Sequence, residues 1–225
     1  MDVRIQRGLC NRPTLPKPDG LHKRGCNIAA IIVGRFSWHC PMAVPRFPLQ
    51  KQLHDYRRRW PHEGGVVEAF LALLDDGADP FVRERIAGHF TGSAWLVSGD
   101  GQRVLLTHHR KLDRWLQLGG HADGDAGLAA VALREAEEES GLPRLSLESP
   151  AIFDLDRHWI PARGEVAGHW HYDVRYVVRA GADEQFKVSA ESLALAWRPI
   201  AGIHADPAAD GSLRRMAGKW LAGRA

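Results

Sequence analysis

The chain has 225 residues, of which 44% are hydrophobic and 25% are charged, and its formal net charge at pH 7 is +3. This composition is typical of a globular protein and excludes a collagen-like or wholly disordered chain. No apolar run reaches the roughly 20 residues that a transmembrane helix needs. The apolar run over residues 28–33 is also shorter than the core of a secretory signal. We therefore expect a cytoplasmic protein with no membrane partner.

Residues 1–41 differ in composition from the rest of the chain. They hold seven Lys or Arg and two Asp or Glu, a net charge of +5, so the remaining residues carry −2 of the total of +3. Turn-forming sequences such as Arg12-Pro13 and Pro18-Asp19-Gly20 lead into no periodic element, so we predict a disordered extension. Few aromatic residues accompany the basic charge, which argues against a nucleic-acid partner. Globular patterning begins after Met42, which leaves open that translation starts there.

Helical patterns come first in the remaining chain. Leu49, Leu53 and Tyr56 recur on one face of a helix that starts near Pro48 and ends at Pro61. A second helix is predicted over residues 66–74. We expect the two helices to form an N-terminal helical segment, residues 42–88, that packs on the main domain. A homodimer contact through residues 45–88 is left open.

Strand-like patterns follow the helices and predict an α/β domain. Two strands, residues 93–97 and 103–108, flank the turn Ser98-Gly99-Asp100-Gly101 and form an opening hairpin. Further strands are predicted over residues 146–154 and 169–178, and further helices over residues 189–195 and 211–222.

A glycine pair precedes a helix with well-marked ends. The sequence Gly119-Gly120-His121-Ala122-Asp123-Gly124-Asp125 leads into a helix predicted over residues 126–140. Asp125 is the predicted N-cap, Gly141 suits the position after the last turn, and Pro143 prevents continuation.

Three carboxylates share one face of this helix. At about 100° per residue, Glu135, Glu138 and Glu139 lie within one arc, whereas Glu137 points away. Like charges at this spacing repel, so a bound cation or a nearby cation such as Arg134 is expected to offset the repulsion. Magnesium prefers such carboxylate oxygens together with substrate phosphates. A solvated acidic helix face is the alternative interpretation.

The same residues resemble the Nudix box, which reads Gly, five residues, Glu, seven residues, then Arg-Glu-U-x-Glu-Glu-x-Gly-U, where U is aliphatic. Here Gly120 is followed by five residues, Ala126, seven residues and Arg134-Glu135-Ala136-Glu137-Glu138-Glu139-Ser140-Gly141-Leu142. Every fixed position matches except Ala126, where the family has glutamate.

The resemblance implies a fold and an activity. It implies an α/β/α sandwich with a central mixed sheet, and a Nudix hydrolase domain over residues 89–225. It also implies Glu138 and Glu139 as metal ligands, Glu135 as ligand or general base, and Mg²⁺ as cofactor, with Mn²⁺ as the alternative. Because Ala126 removes one carboxylate, we expect Asp123 to complete the metal site, with the adjacent Asp125 as the other candidate.

Other polar residues are candidates for substrate binding. His169, His171 and Asp173 alternate along a predicted strand and share one face, although an ordinary polar strand face is equally compatible. His121 follows the glycine pair and can approach phosphates or metal. The expected substrate-binding set is Gly120, His121, Arg134, His169, His171 and Asp173.

Two smaller groups are weaker candidates. Asp156, Arg157 and His158 follow a predicted strand and can reach the same cleft. Trp115 and Gln117 can contact a base, although a core role is more common for such a tryptophan.

The sequence thus predicts a metal-dependent hydrolase that cleaves a pyrophosphate bond in a nucleoside diphosphate linked to another moiety. A catalytically weak nucleotide-binding or regulatory module is the alternative, because Ala126 replaces a glutamate. An isomerase of isoprenoid diphosphates shares the resemblance but needs a catalytic cysteine. The three cysteines, Cys10, Cys26 and Cys40, all lie in the extension, with spacings that match no zinc or redox motif.

Overall fold

A computed structural model describes residues 47–110, 112–189 and 192–223 of the chain. The predicted disordered extension, residues 1–41, and the candidate start at Met42 lie outside the described residues. No helix in the described ranges combines the length and hydropathy that crossing a membrane requires.

The two N-terminal helices form as the apolar spacing predicts. Helix α1 spans Phe47–Arg59, a single 3₁₀ turn follows at Pro61–Glu63, and helix α2 spans Gly64–Asp75. Leu53 of α1 and Phe70 of α2 are fully buried in the core that these helices share with the central sheet.

Within the described residues, eight strands form one mixed sheet. Their bounds are β1 His89–Val97, β2 Arg103–His109, β3 Arg114–Leu116, β4 Leu118–His121, β5 Ser146–Leu147, β6 Asp154–Ile160, β7 His169–Arg179 and β8 Ser192–Pro199. The central strand β1 runs parallel to β7, while its other edge pairs antiparallel with β4 near its start and with β2 at its end. Strand β6 pairs with the outer edge of β7, and β8 pairs with β2.

Helices cover both faces of the sheet. Helix α3, Leu128–Ser140, lies on the same face as α1 and α2, and the helices α4, Ile200–Ala205, and α5, Gly211–Ala222, lie on the other. Alternate residues of β1 enter the two cores, since Leu96 contributes to the first and Trp95 to the second. This arrangement confirms the expected α/β/α sandwich with a mixed central sheet.

The elements predicted over residues 189–195 and 146–154 differ from those that form. Residues 192–195, which lie in the helix predicted over residues 189–195, belong to β8, because pairing with β2 outweighs the helical propensity of the Leu-Ala-Leu sequence there. The strand predicted over residues 146–154 is interrupted. Pro150 has no N–H for a sheet ladder, so only Ser146–Leu147 pairs before β6 begins at Asp154.

Candidate active site

The glutamate-bearing helix α3 begins later than predicted. It starts at Leu128 with Gly127 at the N-cap, so the predictions of Ala126 as the first helical residue and Asp125 as N-cap are wrong. Asp125 instead accepts a hydrogen bond of 2.8 Å from the Gly127 N–H, a local turn that competes with capping. Gly141 ends the helix in the left-handed conformation, with φ of 63°, as predicted.

The three candidate glutamates differ in exposure. The side chain of Glu135 is 19% exposed and that of Glu138 is 65% exposed, and Glu139 is intermediate. The apolar side of the helix, which includes Val131, Ala132 and Ala136, is fully buried. The helix therefore rests on the sheet and holds its carboxylates at the margin of the core.

The glycine pair lies directly against two of these carboxylates. The N–H of Gly119 donates a hydrogen bond of 2.9 Å to Oε1 of Glu139. A Cβ on Gly120 would lie 2.4 Å from Oε2 of Glu135, closer than any side chain allows. Glycine at position 120 is therefore required for the observed position of Glu135.

Arg134 lies close to three carboxylates. Its guanidinium lies 3.3 Å from Oε1 of Glu135, 3.9 Å from Oδ2 of Asp125 and 4.0 Å from Oε1 of Glu138. One positive charge thus offsets three negative ones that would otherwise repel each other. The candidate metal ligands are carboxylate oxygens, which are hard ligands and fit a magnesium or manganese ion.

The two aspartates before the helix have different partners. Asp123 forms a two-point ion pair with Arg83, including a 2.6 Å hydrogen bond from Nε to Oδ1. This hydrogen bond lowers the pKa of the Asp123 carboxyl. Asp125, in contrast, shares Arg134 with Glu135 and Glu138. Asp125 is thus the aspartate grouped with the glutamates.

Asp173 is an internal anchor. Its side chain is 2% exposed and accepts hydrogen bonds from Thr91, Ser93, Gln117 and Arg175. With its oxygens committed to these donors, Asp173 does not face solvent. Its burial argues against the direct substrate contact expected from the sequence and favours a role in positioning Arg175 and Gln117.

The other two candidates on β7, His169 and His171, join a group of histidines. His121 at the end of β4 and His89 at the start of β1 have ring centres 5.0 and 4.9 Å from that of His171. His158, on β6, lies opposite His171, with ring centres 5.5 Å apart.

Burial keeps two of these imidazoles neutral. It lowers the pKa of His121 to about 4, helped by the positive charge of Arg83, and the pKa of His171 to about 2. Neutral imidazole nitrogens are available as ligands or hydrogen-bond acceptors at pH 7.

Sequence reasoning missed His89 and Arg83. Neither residue belongs to a local sequence motif. The partner of His89 is on β7 and that of Arg83 is Asp123 in the loop before α3, both far along the chain. Only the parallel pairing of β1 with β7 brings His89 opposite His171. No local signal reveals that pairing.

A cavity of about 700 Å³ lies beside β3 and is lined in part by His108, Trp115, Arg198 and Asp210. The rings of His108 and Trp115 are stacked, with centres 5.2 Å apart, and Arg198 lies 5.9 Å from the Trp115 ring. A flat ring beside a guanidinium suits a planar ligand group. The glutamates of α3 are not among the residues that line this cavity.

Gln117 lies between strands β3 and β4. Its Nε2 donates to Asp173, and its buried Oε1 has no hydrogen-bond partner within residues 47–110, 112–189 and 192–223. This oxygen is an available acceptor for a ligand donor.

Residues 89–217 match the family model described as the NUDIX domain. The chain is similar to a NUDIX-family hydrolase from Clostridium perfringens, with 24% identity, coverage of 61% of this chain and 98% of that chain, and a TM-score of 0.48. The chain is also similar to an Ap4A hydrolase of C. elegans, with 20% identity, coverage of 60% of this chain and 98% of that chain, and a TM-score of 0.45. A third similar structure is the NUDIX domain of Shewanella oneidensis NrtR in complex with ADP-ribose, with 23% identity, coverage of 68% of this chain and 97% of that chain, and a TM-score of 0.42. No curated protein matches the chain.

Proposed function

The chain belongs to the Nudix family of pyrophosphohydrolases, and we propose that it hydrolyses a nucleoside diphosphate linked to another moiety with the help of divalent metal. The main support is the convergence of Glu135 and Glu139 on the glycine pair, with Arg134 joining Glu135 to Glu138. These oxygens form a negative site beside two residues that have no side chains of their own. That combination suits a cation that also contacts phosphate.

The metal would be held by Glu135, Glu138 and Glu139, with Asp125 better placed than Asp123 to supply the carboxylate missing at Ala126. Mg²⁺ is the proposed ion and Mn²⁺ the alternative. When bound, such an ion neutralises phosphate oxygens and makes a coordinated water more acidic.

The protein residues then perform the proton transfer and the positioning. Water attacks one phosphorus, the bond from that phosphorus to the bridging oxygen breaks, and the water proton passes to a glutamate carboxylate, for which Glu135 is the candidate. The bridging oxygen leaves with the second phosphate. The products are a nucleoside monophosphate and a second phosphorylated fragment.

The cavity beside β3 is the proposed site for the part of the substrate that carries a planar ring. Trp115 offers a ring face and Arg198 a positive charge near it. His121, which follows Gly120, is the proposed contact for phosphate. Neither role is needed for cleavage, so both are expected to affect KM more than kcat.

A nucleotide-binding regulator is the second candidate, and Ala126 is the observation that favours it. With one family carboxylate replaced, the site can retain ligand affinity and lose turnover.

A substrate panel with Mg²⁺ and with Mn²⁺ separates the two functions. The panel contains ADP-ribose, dinucleotide polyphosphates, sugar nucleotides, coenzyme A and oxidised nucleotides, and Glu139→Gln is the control. Metal-dependent release of a nucleoside monophosphate by the wild type, and its loss in Glu139→Gln, supports hydrolysis. Tight binding of a panel member without metal-dependent turnover supports the regulator.

A further inference from the structure

Three histidines on the sheet meet in the geometry of a metal site. His89, His169 and His171 each offer a ring nitrogen, and these nitrogens all lie within 4.8 Å of one another. Nε2 of His169 is 3.2 Å from Nε2 of His171. For comparison, the ligand nitrogens of a tetrahedral zinc site with Zn–N of about 2.1 Å are roughly 3.4 Å apart. Small side-chain rotations would therefore suffice to bring the three nitrogens around one ion.

The sheet register explains why the three rings meet. His89 on β1 is the direct partner of His171 on the parallel strand β7. His169 lies two residues earlier on β7 and therefore on the same face. His121 on β4 pairs near the start of β1, and its ring centre lies 5.2 Å from that of His89.

A buried ring nitrogen in this group lacks a partner. His89 is 1% exposed, and its Nε2 has no hydrogen-bond partner within the described residues. A buried polar atom of this kind destabilises the fold when no hydrogen bond or ligand satisfies it. A metal ion among the three histidines would supply the missing partner.

The outer nitrogens of two rings have the partners that metal-binding histidines need. Nδ1 of His169 lies 2.8 Å from the carbonyl oxygen of Ala167, and Nδ1 of His89 lies 3.4 Å from that of Arg85. Metal-ligating histidines commonly donate their second ring N–H to a backbone carbonyl, which fixes the ring and leaves the other nitrogen for the ion.

We propose that His89, His169 and His171 form a second metal site, which takes a borderline cation such as Zn²⁺ through three imidazole nitrogens. Imidazole ligands favour Zn²⁺ over Mg²⁺, so this site differs in chemistry from the carboxylates of α3. It also lies on the other sheet face. A Cβ on Gly92 would meet Val131 of α3, whereas His89 and Thr91 point to the opposite side. Three protein ligands leave a fourth position open for water or a phosphate oxygen.

The test uses Co²⁺ and Zn²⁺ as probes on the full chain, after chelator treatment and with Mg²⁺ in excess. We expect the wild type to bind Co²⁺ with visible absorption bands of a nitrogen-rich site, and Zn²⁺ to displace it. His171→Asn and, separately, the partly exposed His169→Gln should each weaken Co²⁺ binding by at least roughly tenfold. Zn²⁺ should raise the Tm of the wild type more than that of either variant.

Two further variants make the result decisive. His54→Gln changes an exposed histidine on α1 and should retain the wild-type Co²⁺ spectrum. Glu139→Gln should also retain it, which separates this site from the proposed hydrolytic one. Equal Co²⁺ affinity and spectra in the wild type, His171→Asn and His169→Gln would overturn the proposal, since binding would then lie elsewhere in the chain.

Discussion

The carboxylate of Glu135 lies where a side chain on Gly120 would begin, with Oε2 2.4 Å from the position of a Cβ. Gly120→Ala therefore has to push this carboxylate aside. Because Glu135 can rotate, we expect little loss of stability but a fall in kcat on the order of a hundredfold, the effect of displacing a reacting group by about 1 Å. Metal-dependent product release and thermal unfolding of the same preparation measure the two effects.

Gly65→Ala is the matched control for that substitution. Its Cβ would meet nothing within 4 Å, and Gly65 lies in α2. Wild-type activity in Gly120→Ala, or an equal loss in Gly65→Ala, would show that contact with Glu135 is unimportant.

The aspartates before α3 should respond differently to substitution. Asp125 shares Arg134 with Glu135 and Glu138, whereas Asp123 is paired with Arg83. We expect Asp125→Asn to raise the Mg²⁺ concentration needed for half-maximal activity several-fold, and Asp123→Asn to raise it less. Ala126→Glu, which restores the family residue, should lower it. The reverse order for the two aspartates would assign the missing carboxylate to Asp123.

A buried charge network holds β6 and β7 to α5. Asp154 is fully buried and forms ion pairs with Arg175, Arg215 and Lys219. Asp154→Asn removes one of three carboxylates that contact the buried Arg175, and it also removes the charge that pairs with Arg215 and the buried Lys219. We therefore expect a loss of about 3–5 kcal/mol in the free energy of unfolding. Urea denaturation measures it. Asp55→Asn, at an exposed pair with Lys51, is the control and should change stability far less.

The same network predicts how stability depends on pH. Burial raises the pKa of Asp156, but the hydrogen bond from His158 and the charges of Arg175 and Arg215 outweigh it, so the pKa is lowered overall. A carboxyl with a lowered folded-state pKa stabilises the fold above its unfolded value of about 3.9, and this contribution is lost as pH falls through the folded value. Urea midpoints should therefore lose this contribution only below about pH 5, where the unfolded carboxyl begins to bind protons before the folded one does.

The decline should be shallower in Asp156→Asn than in the wild type. Asp183→Asn, at an exposed aspartate, should follow the wild type. Parallel curves for all three proteins would mean that Asp156 does not contribute.

Local patterns predicted the parts of the fold that local chemistry decides. The spacing of Leu49, Leu53 and Tyr56 was sufficient for α1, and Gly141 marked the end of α3. The start of α3 was misplaced because the side chain of Asp125 bonds to Gly127 two residues on, a choice that the sequence alone does not settle.

Long-range pairing decided what the sequence could not. Residues with helical propensity joined β8 because β2 offered a partner strand. The candidate site likewise combines residues that a local motif predicts with residues that only long-range strand pairing brings together. The glutamates follow one local motif, whereas the ring of His89 meets that of His171 only because β1 and β7 pair in parallel. The burial of Asp173 likewise depends on donors from β1 and from Gln117, which no pattern in β7 indicates.

The most direct test of the central claim is Mn²⁺ binding, measured by loss of the free-ion electron paramagnetic resonance signal. Glu138→Gln and Glu139→Gln are compared with Glu137→Gln, an exposed position on the same helix that contributes no oxygen to the contacts described above. We predict Mn²⁺ affinity at least roughly tenfold weaker in the first two variants and unchanged in the third. Equal affinity in all three variants and the wild type would contradict the assignment of the α3 glutamates as metal ligands.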